Sequence, residues 1–253
     1  MIVTSEQELS MLKQVGQIVA ETLHHMLQHV RPGITTKSLD LLGETYLATR
    51  DARSAPQLTY DFPGATCISV NEVVAHGIPS AETILQEGDV INIDVSAEWC
   101  GYWADNGASV VVGKDIHGRQ KLVDCSLDTL QSAVARLRSG SKIQTLGAFI
   151  EHSANAEGFR VIKNLGGHGL GRALHEEPTD ILNFRDILDK RRFRKGTVVA
   201  IETFFNTQSW RAVGQADGFT LVGNRGGVAV QHEVSIVITD TVPIILTPIL
   251  YKT

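Results

Sequence analysis

Apolar residues in the first fifty positions recur at the three- and four-residue spacing of amphipathic helices. The first stretch starts beside Ser5 and Glu8, whose Ser-x-x-Glu spacing is that of a helix capping box. It ends at the Arg-Pro-Gly sequence of residues 31–33. The same periodicity predicts a second helix over residues 36–50. The chain therefore opens with two helices joined by a short turn.

From residue 88 the pattern changes to runs of β-branched and apolar residues, which predict strands. Residues 88–94 and a return strand ending at residue 112 form a predicted hairpin with its turn near Cys100 and Gly101. Other elements follow from the same two periodicities: strands over residues 66–70, 197–206, 219–222 and 228–238, and helices over 119–138 and 143–157. A loop rich in Gly and His is expected at 166–177.

Two segments of the chain recur about a hundred residues later. GDVINID (residues 88–94) matches GTVVAIE (196–202) at an offset of 108, and both end in a carboxylate. Residues 33–39 and 140–146 share Gly-x-x-x-x-(Ser/Thr)-Leu at an offset of 107, and both introduce predicted helices. These matches predict two copies of one αβ unit. A weaker match joins His76-Gly to His168-Gly, but its offset is 92.

Composition narrows the class of protein. The chain has 253 residues, 43% of them hydrophobic, which is enough for a large core. A net charge of -5 argues against a general nucleic-acid binder. Its three cysteines form no CxxC pair, so neither a disulfide framework nor a thiolate zinc site is indicated. With no signal peptide or membrane span in the pattern, we expect a soluble cytoplasmic protein.

Acidic residues stand where buried strands are predicted. Asp94 and Asp105 fall at the inner ends of the hairpin strands, Glu202 follows a buried apolar run, and Glu233 lies within a β-branched run. Four carboxylates that converge in a dry centre require cations, and such oxygen-rich ligands with an imidazole suit Mn, Fe, Co or Zn. If the two halves pack about a pseudo-twofold axis, Asp94 and Glu202 are equivalent, and a bridged two-metal site is the natural solution for the four carboxylates.

Three histidines are candidates to complete this site: His76, His168 and His175. One would be a metal ligand and two would contact substrate. Simpler interpretations stand beside each assignment. Asp105 alone is better explained as part of an Asp-Asn-Gly turn, and any one His as a structural residue. Residues 190–195 hold five basic side chains in six and are expected to form a solvated loop, with RNA contact as the alternative.

Together these residues resemble the motifs of type I methionine aminopeptidases. The motifs occur in the family's order and span nearly the whole chain: residues 71–79, 88–95, 101–105, 167–172, 175–178, 199–202 and 231–233. The resemblance implies an α/β pita-bread fold, in which two αβ units surround a curved antiparallel sheet. It implies one catalytic domain over residues 1–253, with halves of about 1–113 and 119–253.

The resemblance also implies the role of each site residue. The five expected ligands of two divalent ions are Asp94, Asp105, His168, Glu202 and Glu233. Glu202 is also the expected proton carrier, while His76 and His175 are the expected catalytic contacts to substrate. The expected methionine pocket is formed by Phe62, Cys67, Leu174 and Phe219, although core packing is an alternative for the last two.

Three neighbours of the ligands depart from the family pattern. Asn106 replaces the usual Thr, Thr203 the usual Pro, and Val234 the usual His. Such changes beside metal ligands can lower metal affinity or activity about 10- to 100-fold. We hypothesise that His232 partly replaces the missing imidazole.

The implied reaction is removal of an N-terminal methionine, by attack of a metal-bridging hydroxide on the first peptide bond. N-terminal methionyl peptides are the expected partner, a transient contact with the ribosome is allowed, no membrane partner is expected, and a monomer is predicted. One alternative is an X-Pro aminopeptidase or prolidase of the same fold. These enzymes usually carry a large N-terminal domain, so the short segment before His76 disfavours them. The other is a binding protein of this fold that has lost catalysis.

Overall fold

A computed structural model describes residues 1–251 of the chain. It contains five helices in that range: α1 (Glu6–Leu27), α2 (Thr36–Thr49), α3 (Ala55–Tyr60), α4 (Gln120–Ala135) and α5 (Ile143–Ala156). The strands before residue 119 are β1 (Arg53–Ser54), β2 (Cys67–Val70), β3 (Val73–Ala75), β4 (Val90–Trp99) and β5 (Tyr102–Val111). Those that follow are β6 (Arg160–Val161), β7 (Gly166–Gly169), β8 (Glu176–Leu182), β9 (Val198–Asn206), β10 (Ala212–Gly214), β11 (Leu221–Gly223), β12 (Ala229–Val237) and β13 (Ile244–Ile245).

Most strands belong to one antiparallel sheet in the order β1-β4-β5-β12-β9-β7-β8. Strand β2 pairs with β4, β6 pairs with β9, and β13 pairs with β12. A separate three-stranded sheet has the order β10-β11-β3. The long strands β4, β5, β9 and β12 therefore form the centre of the large sheet.

Helices α1, α2, α4 and α5 cover one face of this sheet. Ile91, Ile93 and Val95 of β4 share a core with helices α1 and α2. Val199 and Ile201 of β9 belong to the corresponding core beneath α4 and α5. Because side chains alternate along a strand, the intervening residues of β4 and β9 point away from the helices. That opposite face carries the acidic residues.

The element order shows the duplication that the sequence predicts. Each half has, in the same order, two helices, a two-residue strand, a four-residue strand and two long strands, with further elements between them that differ in the two halves. The matching glycines also share their backbone conformation. Gly33 and Gly140, before α2 and α5, both have φ of 85°, and Gly88 and Gly196, before β4 and β9, both have φ of 80°. Left-handed φ favours glycine, which explains why these positions coincide in the two copies.

The weaker His-Gly match is wrong as a structural equivalence. His76 follows β3 of the small sheet, whereas His168 lies on β7 of the large sheet. The counterpart of β7 is β2, since β2 pairs with β4 as β7 pairs with β9. The two histidines therefore reach the sheet centre from different elements.

Other sequence predictions need correction in detail. The acidic residues do not end their strands, because β4 continues from Asp94 to Trp99 and β9 from Glu202 to Asn206. Asp105 lies within β5 and not in a turn. The 166–177 loop contains β7 and the start of β8, and helix α3 was not predicted. Each miss reflects pairing with a distant strand or a short capped turn, which local periodicity does not report.

The first helix begins as its capping box predicts, since the Ser5 side chain accepts a hydrogen bond from the Glu8 amide. The Glu8 carboxylate completes the cap by accepting from the Thr4 amide. Within residues 1–251, no helix is both long enough and apolar enough to span a membrane.

Candidate metal centre

Four central strands bring the acidic residues into one row. Asp94 on β4 lies opposite Gly107 on β5. Gly107 lies opposite Glu233 on β12, and Glu233 lies opposite Glu202 on β9. Directly paired residues of an antiparallel ladder share a face, so these three carboxylates point to the same side. Asp105 is two residues before Gly107 and adds a fourth carboxylate there.

His168 completes the cluster from the neighbouring strand. Its Nε2 lies 3.8 Å from Oδ2 of Asp105 and 3.9 Å from Oε1 of Glu233. Nδ1 lies 3.0 Å from the carbonyl oxygen of Gly169 and donates to it, so Nε2 carries the lone pair. Burial lowers the pKa of His168 to about 3. The ring is therefore neutral, and these two contacts are not ion pairs. The lone pair therefore points at the acidic row.

Burial dominates the electrostatics of the four carboxyl groups. It raises the pKa of Asp94 to about 6 and that of Glu202 to about 8. Burial and then the charge of Asp94 raise the pKa of Asp105 well above its usual value. Burial, followed by the charge of Asp105, does the same to the pKa of Glu233. Without cations, these groups therefore share protons near neutral pH.

Gln231 joins two of the carboxylates. Its Nε2 donates to Oε2 of Glu233 at 2.7 Å and to Oε2 of Glu202 at 3.3 Å. Its Oε1 accepts from Nδ2 of Asn92 at 2.9 Å. The side chain lies over Gly107, where an added Cβ would come within 2.1 Å of Oε1. Gly107 thus leaves the space that this buried amide occupies.

The donor set fits divalent cations. One ligand atom each of Asp105, His168 and Glu233 lies within 4.8 Å of the other two. Oδ1 of Asp105 and Oε1 of Glu233 are buried and accept no hydrogen bond from the described residues. Buried carboxylate oxygens without donors are costly unless a cation meets them. Asp94 and Glu202 line the same cavity and supply further oxygens.

Two more histidines border this cavity, which has a volume of about 840 Å³. The ring of His175 lies 4.1 Å from that of His168, measured between centroids. His76 has φ of 55°, a left-handed conformation that is unusual for a side-chain-bearing residue and directs the chain sharply after β3. Desolvation lowers the pKa of both His76 and His175, so both rings are neutral near pH 7.

The predicted pocket residues lie together on the cavity wall. Phe62 and Phe219 contact edge to face, with ring centroids 5.2 Å apart. Cys67 and Leu174 also line the cavity, and both are buried. Burial raises the pKa of the Cys67 thiol well above its usual value, so this side chain is a neutral apolar surface. The arrangement forms an apolar wall beside the acidic row.

His232 does not reach the acidic row but lies on the same face of β12 as Val234, so the hypothesis that it partly replaces the missing imidazole stays a prediction. His232 pairs with Thr203 across β12 and β9, next to Glu233 and Glu202 respectively, and therefore faces the helices. Its Nδ1 lies 3.0 Å from Oγ of Ser126 on α4, and its Nε2 lies 3.2 Å from the backbone oxygen of Ser109. Thr203 shares this network through a 2.8 Å contact with the Ser126 hydroxyl. These hydrogen bonds connect α4 to the face of the sheet opposite the acidic row.

Sequence reasoning missed the residues that support the candidate ligands. Asn92, Gly107 and Gln231 each stand two positions from a predicted ligand on the same strand. Strand alternation places such residues on the ligand face, so this spacing was the available signal. Tyr60, whose hydroxyl lies 2.7 Å from Nδ1 of His175, had no such signal because helix α3 was not predicted.

The basic segment 190–195 lies along a second cleft of about 920 Å³. Most of its cations already have protein partners. Arg191 contacts the Asp189 carboxylate at 2.9 Å, Arg192 the Gly140 carbonyl at 2.5 Å, and Lys195 the Asp240 carboxylate at 2.5 Å. These contacts favour a solvated, ion-paired loop over a nucleic-acid surface. The cavity with the acidic row is the better candidate for chemistry.

The duplicated sheet and the carboxylates at its centre define a metallohydrolase of the pita-bread fold. The chain belongs to metallopeptidase family M24, whose model matches residues 10–240.

Relatives agree with this assignment over almost the full length. The chain is 45% identical to methionine aminopeptidase 2 of Bacillus subtilis, over 98% of this chain and 99% of that protein. It is 38% identical to methionine aminopeptidase of Staphylococcus epidermidis, over 98% and 99% of the two chains. The crystal structure of methionine aminopeptidase from Thermotoga maritima has a TM-score of 0.93 at 31% identity, covering 98% of this chain and 99% of that one.

A prolidase from Pyrococcus horikoshii shares the fold alone. Its TM-score is 0.75 at 19% identity, and the match covers 98% of this chain but 63% of the prolidase. The expected fold class is therefore confirmed, and the larger prolidase chain extends beyond the shared fold.

Proposed function

We propose that this chain is a methionyl aminopeptidase, which hydrolyses the bond after an N-terminal methionine with the help of divalent metal ions. The observation that carries the proposal is the convergence of Asp94, Asp105, His168, Glu202 and Glu233 on one cavity with an apolar wall. Full-length similarity to methionine aminopeptidases at 45% and 38% identity supports the substrate class.

These five side chains would hold two ions, with Co, Mn, Fe and Zn as the candidates. When bound, the ions would lower the pKa of a water molecule toward neutrality and act as Lewis acids. The buried, unpartnered oxygens of Asp105 and Glu233 support this assignment. Gln231 would keep Glu202 and Glu233 at a fixed separation, because one amide donates to both.

Glu202 is the proposed proton carrier. It would accept a proton from the attacking water and deliver one to the leaving amine. Burial raises the pKa of its carboxyl group to about 8 in the metal-free protein, so it holds a proton readily near neutral pH. The positive charge of bound ions would lower that pKa. Glu202 can therefore both lose and take up a proton during one reaction cycle.

The two neutral histidines at the cavity would act on the substrate directly. We assign His175 to the carbonyl oxygen, where a ring N–H would stabilise the negative charge of the tetrahedral state. His76 would hold the amide nitrogen of the bond that breaks. Both rings line the cavity, and neither carries a charge that would compete with the metal ions.

The apolar wall would select methionine. Phe62, Cys67, Leu174 and Phe219 offer aromatic, thiol and aliphatic surface for an unbranched thioether side chain. Apolar fit of this kind discriminates by about 1 to 3 kcal/mol per methylene. We expect a strong preference for methionine over smaller apolar residues, and not absolute exclusion.

One experiment separates this function from its two rivals. Metal-loaded protein is incubated with the peptide Met-Ala-Ser and with a peptide that begins Xaa-Pro, and released amino acids are measured. Release of methionine from the first peptide alone supports the proposal. Cleavage of the Xaa-Pro peptide would favour an X-Pro hydrolase. No release with any of Co, Mn, Fe or Zn would favour a binding protein.

Variants test the assigned residues in the same assay. Asp94→Ala and Glu202→Ala should abolish methionine release and leave the fold intact by circular dichroism. Glu157→Ala is the matched control, since Glu157 is exposed and pairs with Lys121 on the helical side. Near wild-type turnover in either site variant would contradict the ligand assignment.

We further propose a monomer of one domain that works in the cytoplasm and meets the ribosome at most transiently. The cysteines support a reducing compartment, because Cys67, Cys100 and Cys125 are all free. Size-exclusion chromatography with light scattering would test the monomer, and co-sedimentation with ribosomes would test the contact.

A further inference from the structure

Tyr60 and His175 form a side-chain contact at the rim of the metal cavity. The hydroxyl of Tyr60 lies 2.7 Å from Nδ1 of His175, and the ring centroids are 5.9 Å apart. The two residues are 115 positions apart in the sequence. Both line the cavity that holds the acidic row. The contact therefore connects the segment before β2 with the segment before β8.

The backbone on the Tyr60 side is held independently of this contact. Helix α3 begins at a cap in which Ser54 Oγ accepts from the Gln57 amide. The same hydroxyl donates to the Ala65 carbonyl at 2.7 Å. The helix ends at Asp61, whose φ of 52° turns the chain away. Tyr60 is thus the last residue of a short helix that is fixed at both ends.

The backbone on the His175 side is fixed by its own turn. The Glu176 carboxylate accepts from the amides of Arg172 at 2.5 Å and Ala173 at 2.7 Å. Strand β8 begins at Glu176, directly after the histidine. Two separately supported segments therefore bring the phenol and the imidazole together, and the hydrogen bond between them is a consequence of both.

We propose that Tyr60 is a positioning residue, whose hydroxyl donates to Nδ1 of His175 and holds that imidazole in the tautomer with its proton on Nε2. Tyr60 has a proton to donate, because burial and then the charge of Asp105 raise the pKa of its phenol. This hydrogen bond occupies Nδ1 of His175 and leaves Nε2 outside it. An N–H on Nε2 is then available to a ligand in the cavity.

The neighbouring histidine is held in the opposite tautomer. His168 donates from Nδ1 to the Gly169 carbonyl at 3.0 Å, which leaves the lone pair on Nε2. Two imidazoles 4.1 Å apart thereby acquire different chemistry. His168 offers a lone pair to a cation, and His175 offers a proton to an oxygen that gains negative charge. The tautomers differ because a tyrosine hydroxyl contacts Nδ1 of His175, whereas a backbone carbonyl accepts a hydrogen bond from Nδ1 of His168.

The tautomer itself can be measured without any assay of activity. In metal-free protein with ¹⁵N-labelled histidine, the side-chain nitrogen shifts of His175 report which nitrogen carries the proton. We expect the Nε2–H tautomer in the wild type and a mixture of tautomers in Tyr60→Phe. A wild type with the proton on Nδ1, or shifts unchanged by Tyr60→Phe, would overturn the proposal.

The consequence for the reaction rests on the proposed aminopeptidase function and is measured separately. For Tyr60→Phe we expect kcat with Met-Ala-Ser to fall about tenfold with little change in KM, because the lost bond matters mainly as the oxyanion forms. Tyr46→Phe is the matched control, since its hydroxyl contacts Glu21 far from the cavity. An unchanged kcat in Tyr60→Phe would contradict the positioning role.

The tautomer measurement and the kinetic measurement can fail independently of each other. A wild type that releases no methionine would refute the aminopeptidase assignment, whereas the nitrogen shifts would still decide the tautomer. Equal loss of metal content in Tyr60→Phe and in a metal-ligand variant would show that Tyr60 supports the metal centre as a whole, and would also overturn the proposal.

Discussion

Glu202 and Glu233 lie directly opposite each other on paired strands β9 and β12, and both are buried. Burial raises the pKa of Glu202 from 4.5 to about 8. The folded metal-free protein therefore keeps a proton that the unfolded chain releases in this range. The contribution of this group to stability is complete below about pH 4.5 and is lost as pH rises through about pH 8.

Thermal unfolding of chelator-treated protein over this pH range tests the sign. Glu202→Gln removes one titrating group, so its melting temperature should depend less on pH than that of the wild type. Bound ions displace protons, so the stabilisation by saturating metal should grow with pH. A wild type and Glu202→Gln with parallel pH profiles would refute this account.

The proposed ligands and the residues that support them were not equally accessible to sequence reasoning. Asp94 and Glu202 were predicted as ligands because the chain repeats and because a carboxylate after a buried run is costly. Their alignment with Glu233 depends on the pairing of β9 with β12. The position of Asp105 depends on strand β5, which continues through a sequence, Asp-Asn-Gly, that is typical of a turn. Strand register is set by the whole sheet. The local sequence pattern therefore predicted which residues are candidate ligands better than it predicted where each one lies in its strand.

The glycine between the carboxylates gives a second prediction. Gly107→Ala would place a Cβ within 2.1 Å of Oε1 of Gln231 and displace the amide that joins Glu202 and Glu233. We expect metal affinity, measured by calorimetric titration, to fall about 10- to 100-fold.

A glycine in open space is the control for this change. A Cβ added to Gly214 on β10 would have no atom within 4 Å, so Gly214→Ala should bind metal like the wild type. If Gly107→Ala also binds with wild-type affinity, the amide of Gln231 does not position the ligands.

The buried histidine behind the centre gives a third prediction. His232 is fully buried, and burial lowers its pKa to about 4, so it is a neutral part of the core. His232→Ala would leave a cavity and unpaired groups at Ser109 and Ser126, and should lower the free energy of unfolding by about 2 to 4 kcal/mol.

Metal affinity distinguishes this structural role from ligation. Measured well below the unfolding temperature, His232→Ala should bind metal much more tightly than Gln231→Ala, since Gln231 points to the ligand face and His232 to α4. Equal losses of metal affinity in the two variants would show that His232 contributes to metal binding as much as Gln231 does.

The same alternation places His232 behind the acidic row. Gln231 and Glu233 share one face of β12, and His232 necessarily occupies the other. The missing imidazole at Val234 is likewise on the helical face, where Val234 is buried in the apolar core. His232 therefore shares the face of the missing imidazole, which is the relationship on which the hypothesis about its role rests.

Asn106 gives the last prediction, because it is a buried amide without a partner. The residue is 1% exposed, and neither Oδ1 nor Nδ2 has a hydrogen-bond partner among residues 1–251. It lies opposite Val95 on β4 and Val234 on β12, so its surroundings on the sheet are apolar. A buried polar group left unpaired costs about 1 to 3 kcal/mol.

Asn106→Val should therefore raise the free energy of unfolding by about 1 kcal/mol in urea titrations, since valine suits a strand and leaves no polar atom unpaired. Asn92→Val is the matched control on the ligand face. Nδ2 of Asn92 donates to Oε1 of Gln231 at 2.9 Å, so this variant should lose both stability and metal affinity. If Asn106→Val were as destabilising as Asn92→Val, the amide of Asn106 would have a hydrogen-bonding role in the folded protein, and the cost assigned to its burial would be wrong.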